Sequence, residues 1–141
     1  MGIERFIEAQ GSVYSLALNE IKNGRKRSHW IWYIFPQLKG MGRSYNSEYY
    51  GISGLSEAKD YLKHPVLGMR LREITVELLK HQDKSPVALM GSRIDSVKLC
   101  SCMTLFDCVS PNDVFNQVLK YFYAGERDLT TLKMIENNNQ Q

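Results

Sequence analysis

Residues 21–47 form the segment whose side chains are best suited to binding or chemistry, because it combines basic, aromatic and glycine residues. It holds both tryptophans of the chain, Trp30 and Trp32, and the Gly-x-Gly sequence 40–42. Arginine binds phosphate oxygens in two-point contacts, aromatic rings stack on bases, and glycine-flanked backbone N–H groups approach anions closely. The segment therefore predicts a pocket for a phosphorylated, ring-bearing small molecule. It contains no acidic residue and six basic ones: Lys22, Arg25, Lys26, Arg27, Lys39 and Arg43.

Three side chains are candidates for proton transfer in such a pocket. The imidazole of His29 is the side chain best suited to acid–base chemistry near neutral pH. Asp95 and Lys98 lie three residues apart on a predicted helix, and Ser101 and Thr104 continue that spacing. We expect these four polar residues on one helix face, where a Ser–Lys pair can also supply a nucleophile and its base. The catalytic candidates are therefore His29, Asp95 and Lys98, with Ser101 and Thr104 as ligand contacts.

Each of these features also has a structural interpretation. Residues 25–27 follow a glycine at a predicted helix end, where cations are favourable and a solvated turn is normal. Trp30 and Trp32 can be core anchors, and His29 can be a structural hydrogen-bonding group. The polar face of the later helix can equally pack beneath the aromatic segment. The sequence alone leaves both sets of interpretations open.

The elements that must position these residues are predicted to be helices. A short first helix is expected to end at Gly11, and a second runs from Ser12 to Gly24. Residues 30–35, apolar on every side, are expected to form one or two helical turns that Ser28 caps and Pro36 ends. Later helices are expected to begin at residues 56, 64–65, 85–86, 92, 110–111 and 128.

We therefore predict an all-α fold, since no alternating pair of strands and no hairpin turn is evident. The expected architecture is a compact single domain over residues 1–136, with about seven or eight short-to-medium helices. Residues 137–141 are predicted to form a disordered polar tail.

Composition excludes several classes of protein. The chain has 141 residues, of which 43% are hydrophobic and 23% charged, as in ordinary globular domains. Its net charge of +3 is too small to define a nucleic-acid binder. It has no apolar run long enough for a membrane span, and the first ten residues lack the apolar core of a signal peptide. Three cysteines clustered in residues 100–108 suit reduced thiols and lack metal-ligand spacing, so we expect a cytoplasmic protein without metal or cofactor.

The sequence resembles the bacterial domain-of-unknown-function family 1810, whose members are sometimes mislabelled calpastatin. The resemblance extends from Arg5 to Leu132 and implies a compact, mostly helical domain without an assigned activity. One departure is Cys102, where the family pattern has a second serine. The residues that carry the resemblance are Gly24–Trp32, Phe35–Leu38, Gly42–Ser44, Tyr50–Ile52, His64–Gly68, Arg70–Leu71, Asp95, Lys98, Ser101 and Met103–Phe106.

A looser similarity, based on helical character and residues 67–79, is to the NADAR (YbiA-like) superfamily. That similarity implies ADP-ribose chemistry, including cleavage of an N-glycosidic bond. The first hypothesis is thus an enzyme acting on an ADP-ribose-type ligand, and the alternative is a non-catalytic module that binds nucleic acid or a protein. In the first hypothesis the ligand-binding residues are Arg25, Arg27, Trp30, Trp32, Arg43, Ser44, Ser101 and Thr104.

Overall fold

The computed structural model describes residues 2–139 of the chain, with side chains through residue 138. Within that range the backbone forms nine helices and no β-strand, and one parallel β-bridge joins Leu38 to Ile52. The all-α prediction is confirmed. The helices are α1 (Glu4–Lys22), α2 (Ile31–Ile34), α3 (Tyr45–Tyr49), α4 (Leu55–Lys63), α5 (Leu67–Leu79), α6 (Pro86–Met90), α7 (Arg93–Val109), α8 (Val114–Phe122) and α9 (Leu129–Asn139).

Two differences from the predicted elements concern the ends of the chain. The helix break expected at Gly11 is wrong, because α1 continues through Gly11 and Ser12. A glycine inside a helix costs about 1 kcal/mol relative to alanine, and the complete burial of Phe6 and Ala17 on the same helix outweighs that cost. At the other end, α9 includes residues 137–139, whereas residues 140–141 of the expected polar tail lie outside the described residues. The division into one domain and a tail stays a prediction.

The central element of the fold is α7, which packs against α2, α4, α6, α8 and α9. Such a position explains why α7 is apolar on more than one face. A second layer is built on α5, which packs against α1, α4 and α8 through its predicted apolar stripe. The side chains that α7 buries in the core are Leu99, Cys102, Met103, Leu105 and Phe106.

Helix capping largely follows the sequence. Ser85 caps α6 and Ser92 caps α7, each by accepting a backbone hydrogen bond, as predicted. The predicted start of α8 at Ser110–Pro111 is wrong, since α8 begins at Val114 and its N-cap is Asp113. The cap of α7 is the one that bears on the candidate site, because α7 begins beside the segment that joins α2 to α3.

Candidate ligand-binding groove

A groove of about 540 Å³ lies between the N-terminal half of α7 and the segment from α2 to α3. Trp32, Arg43 and Ser44 line it from the α2–α3 side, and Lys98 and Ser101 line it from α7. The structure thus brings five of the predicted site residues together. They are distant in the sequence, and the packing of α2 against α7 places them on opposite walls.

The groove is cationic. Arg43 and Arg93 line it with exposed side chains, and Lys98 completes a set of three positive charges. Among the described lining residues there is no aspartate, glutamate or histidine. Arg93 was missed at the level of sequence because it lies outside the basic segment, and only the packing of α7 beside the α2–α3 segment brings it to the groove.

Lys98 is held between an aromatic ring and a carboxylate. Its ammonium lies 4.6 Å from the ring centroid of Trp32 and 3.6 Å from one carboxylate oxygen of Asp95. The other oxygen of Asp95 lies 2.8 Å from the ammonium of Lys26. One carboxylate therefore contacts two cations, and we call this unit the Lys26–Asp95–Lys98 bridge. The arrangement places two positive charges beside the Asp95 carboxylate and holds the Lys98 ammonium near the ring of Trp32.

Lys26 differs from the other basic residues of its segment because it is buried, with 6% of its surface exposed. Its ammonium also donates to the backbone carbonyl of Ser28 and lies 5.1 Å from the ring centroid of Trp30. Its backbone N–H donates to the carbonyl of Leu89 in α6 at 2.7 Å. Together with the ion pair to Asp95, these contacts hold the basic segment against α6 and α7.

Glu20 of α1 organises the same segment from the other side. Its carboxylate accepts from the backbone N–H groups of Arg27 and Ser28, the hydroxyl of Ser28 and the indole N–H of Trp30, at 2.6–3.0 Å. Burial raises the pKa of Glu20, but the hydrogen bonds from Ser28, Arg27 and Trp30 outweigh it and lower the pKa to about 2. Ser28 therefore does not cap α2, which begins at Ile31. The 1% exposed Trp30 is anchored in the core rather than in the groove.

The remaining predicted site residues lie elsewhere. Arg27 and His29 are exposed and do not line the groove, and Arg25 borders a separate depression near α6. Thr104 is fully buried, and its hydroxyl accepts from the backbone N–H of Asp128 at the start of α9.

The prediction that four polar residues share one face of α7 is wrong, and the reason is geometric. These residues are Asp95, Lys98, Ser101 and Thr104. Each three-residue step rotates about 300° around an α-helix, so three steps turn the direction by about 180°. Asp95 accordingly contacts Lys26 and Lys98, whereas Thr104 faces the start of α9. Only the middle of the series, Lys98 and Ser101, reaches the groove.

The fold and this groove define an all-α protein with a cationic, tryptophan-bearing cleft. The chain belongs to the family described as "Protein of unknown function (DUF1810)", whose model matches residues 1–135. A solved structure with the same fold is that of the conserved hypothetical protein Rv1873 from Mycobacterium tuberculosis. The two chains are 41% identical, with a TM-score of 0.91 and coverage of 95% of this chain and 96% of that one. No curated protein matches the chain.

Two further observations apply to residues 2–139. None of the helices there combines the length and apolar character needed to cross a bilayer. The same residues contain no group of three or more His, Cys, Asp or Glu side chains placed to hold a metal ion. The cytoplasmic location and the similarity to the NADAR superfamily stay predictions.

Proposed function

We propose that the protein binds a phosphorylated, ring-bearing small molecule of the ADP-ribose type in this groove. The observation that carries the proposal is the convergence of Arg43, Arg93 and Lys98 on one concave site beside Trp32. Arginine forks and a lysine ammonium together neutralise and orient phosphate oxygens. The volume of about 540 Å³ lies within the range of about 300–1,000 Å³ that small-molecule sites occupy.

Hydroxyl groups and a close backbone turn support the same assignment. The Ser44 hydroxyl oxygen accepts from the N–H of Ser47 at 3.1 Å, so its own proton remains available to a phosphate oxygen. A Cβ atom at Gly42 would lie 2.9 Å from the Cβ of Ser47, closer than packed side chains tolerate. Glycine at this position therefore lets the loop approach α3 and places Arg43 at the groove.

The arrangement supports binding more strongly than cleavage of an N-glycosidic bond. Such cleavage needs a carboxylate or an imidazole near the sugar. His29 does not line the groove, and Asp95 is bound to two lysines. Cations gathered inside a groove also favour a compact anion over the extended backbone of a nucleic acid. We therefore assign no catalytic step to the site.

Calorimetric titration with ADP-ribose, ADP and ribose 5-phosphate tests the proposal. Arg43→Met and Arg93→Met each remove one charged contact from an exposed side chain, and we expect each to weaken binding by about tenfold or more. Arg25→Met is the matched control, because Arg25 is also exposed but lies outside the groove. The control should leave the dissociation constant unchanged.

Two results would contradict the proposal. The first is the absence of binding for all three compounds. The second is an equal loss of affinity in the Arg25→Met and Arg43→Met variants. Tighter binding of a short single-stranded oligonucleotide than of ADP-ribose, with a steep salt dependence, would favour the nucleic-acid alternative instead.

A further inference from the structure

Gln37 lines the groove, but the proposed phosphate contacts make no use of its side chain. It follows α2 and borders the groove, yet only 7% of its surface is exposed. Its backbone carbonyl accepts from the N–H of Ile52 at 2.9 Å, beside the β-bridge between Leu38 and Ile52. Among the described residues its carboxamide has no hydrogen-bond partner, so two N–H donors and one oxygen acceptor remain unused.

Among the described residues, the fully buried side-chain polar atom that lacks a partner is Asp107 Oδ1, so the unpaired carboxamide of Gln37 is not sealed in the core. It is open to the groove, where a ligand can pair with it. The position of Gln37 on the groove wall makes a groove ligand the natural partner. The lining from α7 supplies cations and apolar side chains, among them Arg93, Ile94 and Val97. The carboxamide therefore offers the groove a neutral group that can pair with the edge of a ring.

We propose that the groove takes an adenine nucleotide and that Gln37 selects its base. This inference rests on the proposed function, and it names the residue of the same site that determines specificity for the base. A carboxamide carries a donor and an acceptor side by side, and adenine carries an amino donor next to a ring-nitrogen acceptor. The two edges form two parallel hydrogen bonds, as glutamine and adenine do in other complexes.

The walls of the groove agree with such an orientation. Trp32 lines the same groove as Gln37 and offers it an aromatic surface, and the Lys98 ammonium lies 4.6 Å from the centroid of that ring. Arg43 and Arg93 remain for the phosphate. A base at Gln37 and Trp32 and a phosphate at the arginines use different lining residues, so one nucleotide can engage both sets.

The test compares AMP with purine riboside 5′-monophosphate, which lacks only the amino group. We expect the wild-type protein to bind AMP about tenfold or more tightly, since one base-reading pair supplies discrimination of that size. In the Gln37→Met variant the preference for AMP over purine riboside 5′-monophosphate should fall below about twofold. Binding of inorganic pyrophosphate, which has no base, should stay unchanged. Gln117→Met, at an exposed position of α8, is the matched control and should retain the preference.

Each outcome decides a separate part of the proposal. Equal affinity of the wild-type protein for the two nucleotides overturns the adenine assignment but leaves phosphate binding intact. A preference that persists in Gln37→Met overturns the role of Gln37. Failure of both nucleotides and of pyrophosphate to bind overturns this inference together with the proposed function. The wild-type comparison stands by itself if Gln37→Met does not fold.

Discussion

Replacement of Glu20 by glutamine tests how the basic segment is held. The Glu20 carboxylate accepts four hydrogen bonds from Arg27, Ser28 and Trp30 while only 7% of the residue is exposed. Glu20→Gln keeps the size of the side chain and removes its charge. It thereby weakens each of these hydrogen bonds, because bonds to an ionised acceptor are stronger than bonds to a neutral one.

The size of the effect follows from the pKa of Glu20. A carboxyl whose pKa falls from 4.5 to about 2 on folding contributes about 3 kcal/mol to the free energy of unfolding at neutral pH. Because the pKa is lower in the folded protein, this contribution is complete well above pH 4.5 and decreases as the pH falls toward 2. Roughly 2 kcal/mol of it should be lost between pH 7 and pH 3.

The assay is urea unfolding followed by circular dichroism at several pH values between 7 and 3. The measured quantity is the difference in unfolding free energy between wild type and Glu20→Gln, in which the effects of other carboxyl groups cancel. Glu8→Gln, at an exposed position of the same helix, is the control and should show a difference near zero. A wild-type advantage over Glu20→Gln that stays constant with pH would refute the reasoning.

Two further predictions concern the same segment. Lys26→Met leaves Asp95 without its closest cation, at 2.8 Å, and should lower the free energy of unfolding by about 3 kcal/mol in urea titrations. The exposed Lys22→Met is its control, and an equal loss in both variants would contradict a special role for Lys26. Gly91→Ala and Gly125→Ala both place alanine at a positive φ, of 83° and 80°, at a cost of about 1–2 kcal/mol each. Only Gly91→Ala also puts a Cβ 2.7 Å from the Lys26 carbonyl, so its thermal midpoint should fall further, and equal midpoints would contradict this contact.

Local sequence signals predicted much of the scaffold. The serine caps of α6 and α7 and the apolar stripe of α5 depend on neighbouring residues, and these predictions are confirmed. Gly11 is a counterexample, because the burial of α1 outweighs the local preference of a single glycine. The single-turn helix α3, which follows Arg43 and Ser44, had no clear periodic signal in five residues.

The groove was less accessible to sequence reasoning because tertiary packing creates it. The basic and aromatic segment pointed to Trp32 and Arg43, but no local pattern connects them with Arg93 on α7. Nor does spacing reveal that Gln37 is buried at the groove. The partners of Lys26 and Trp30, namely Asp95 and Glu20, likewise become visible only when α1 and α7 are in place.

The Lys26–Asp95–Lys98 bridge changes the electric field that the basic segment produces. The negative charge of Asp95 offsets the charge of buried Lys26 and part of the charge of Lys98. These two lysines therefore contribute less to the positive potential at the protein surface. Within the groove, Arg43 and Arg93 carry positive charges that no carboxylate among the described lining residues offsets. A field focused in this way draws anions toward the opening before any contact forms and so raises their rate of association, an effect that dissolved salt suppresses.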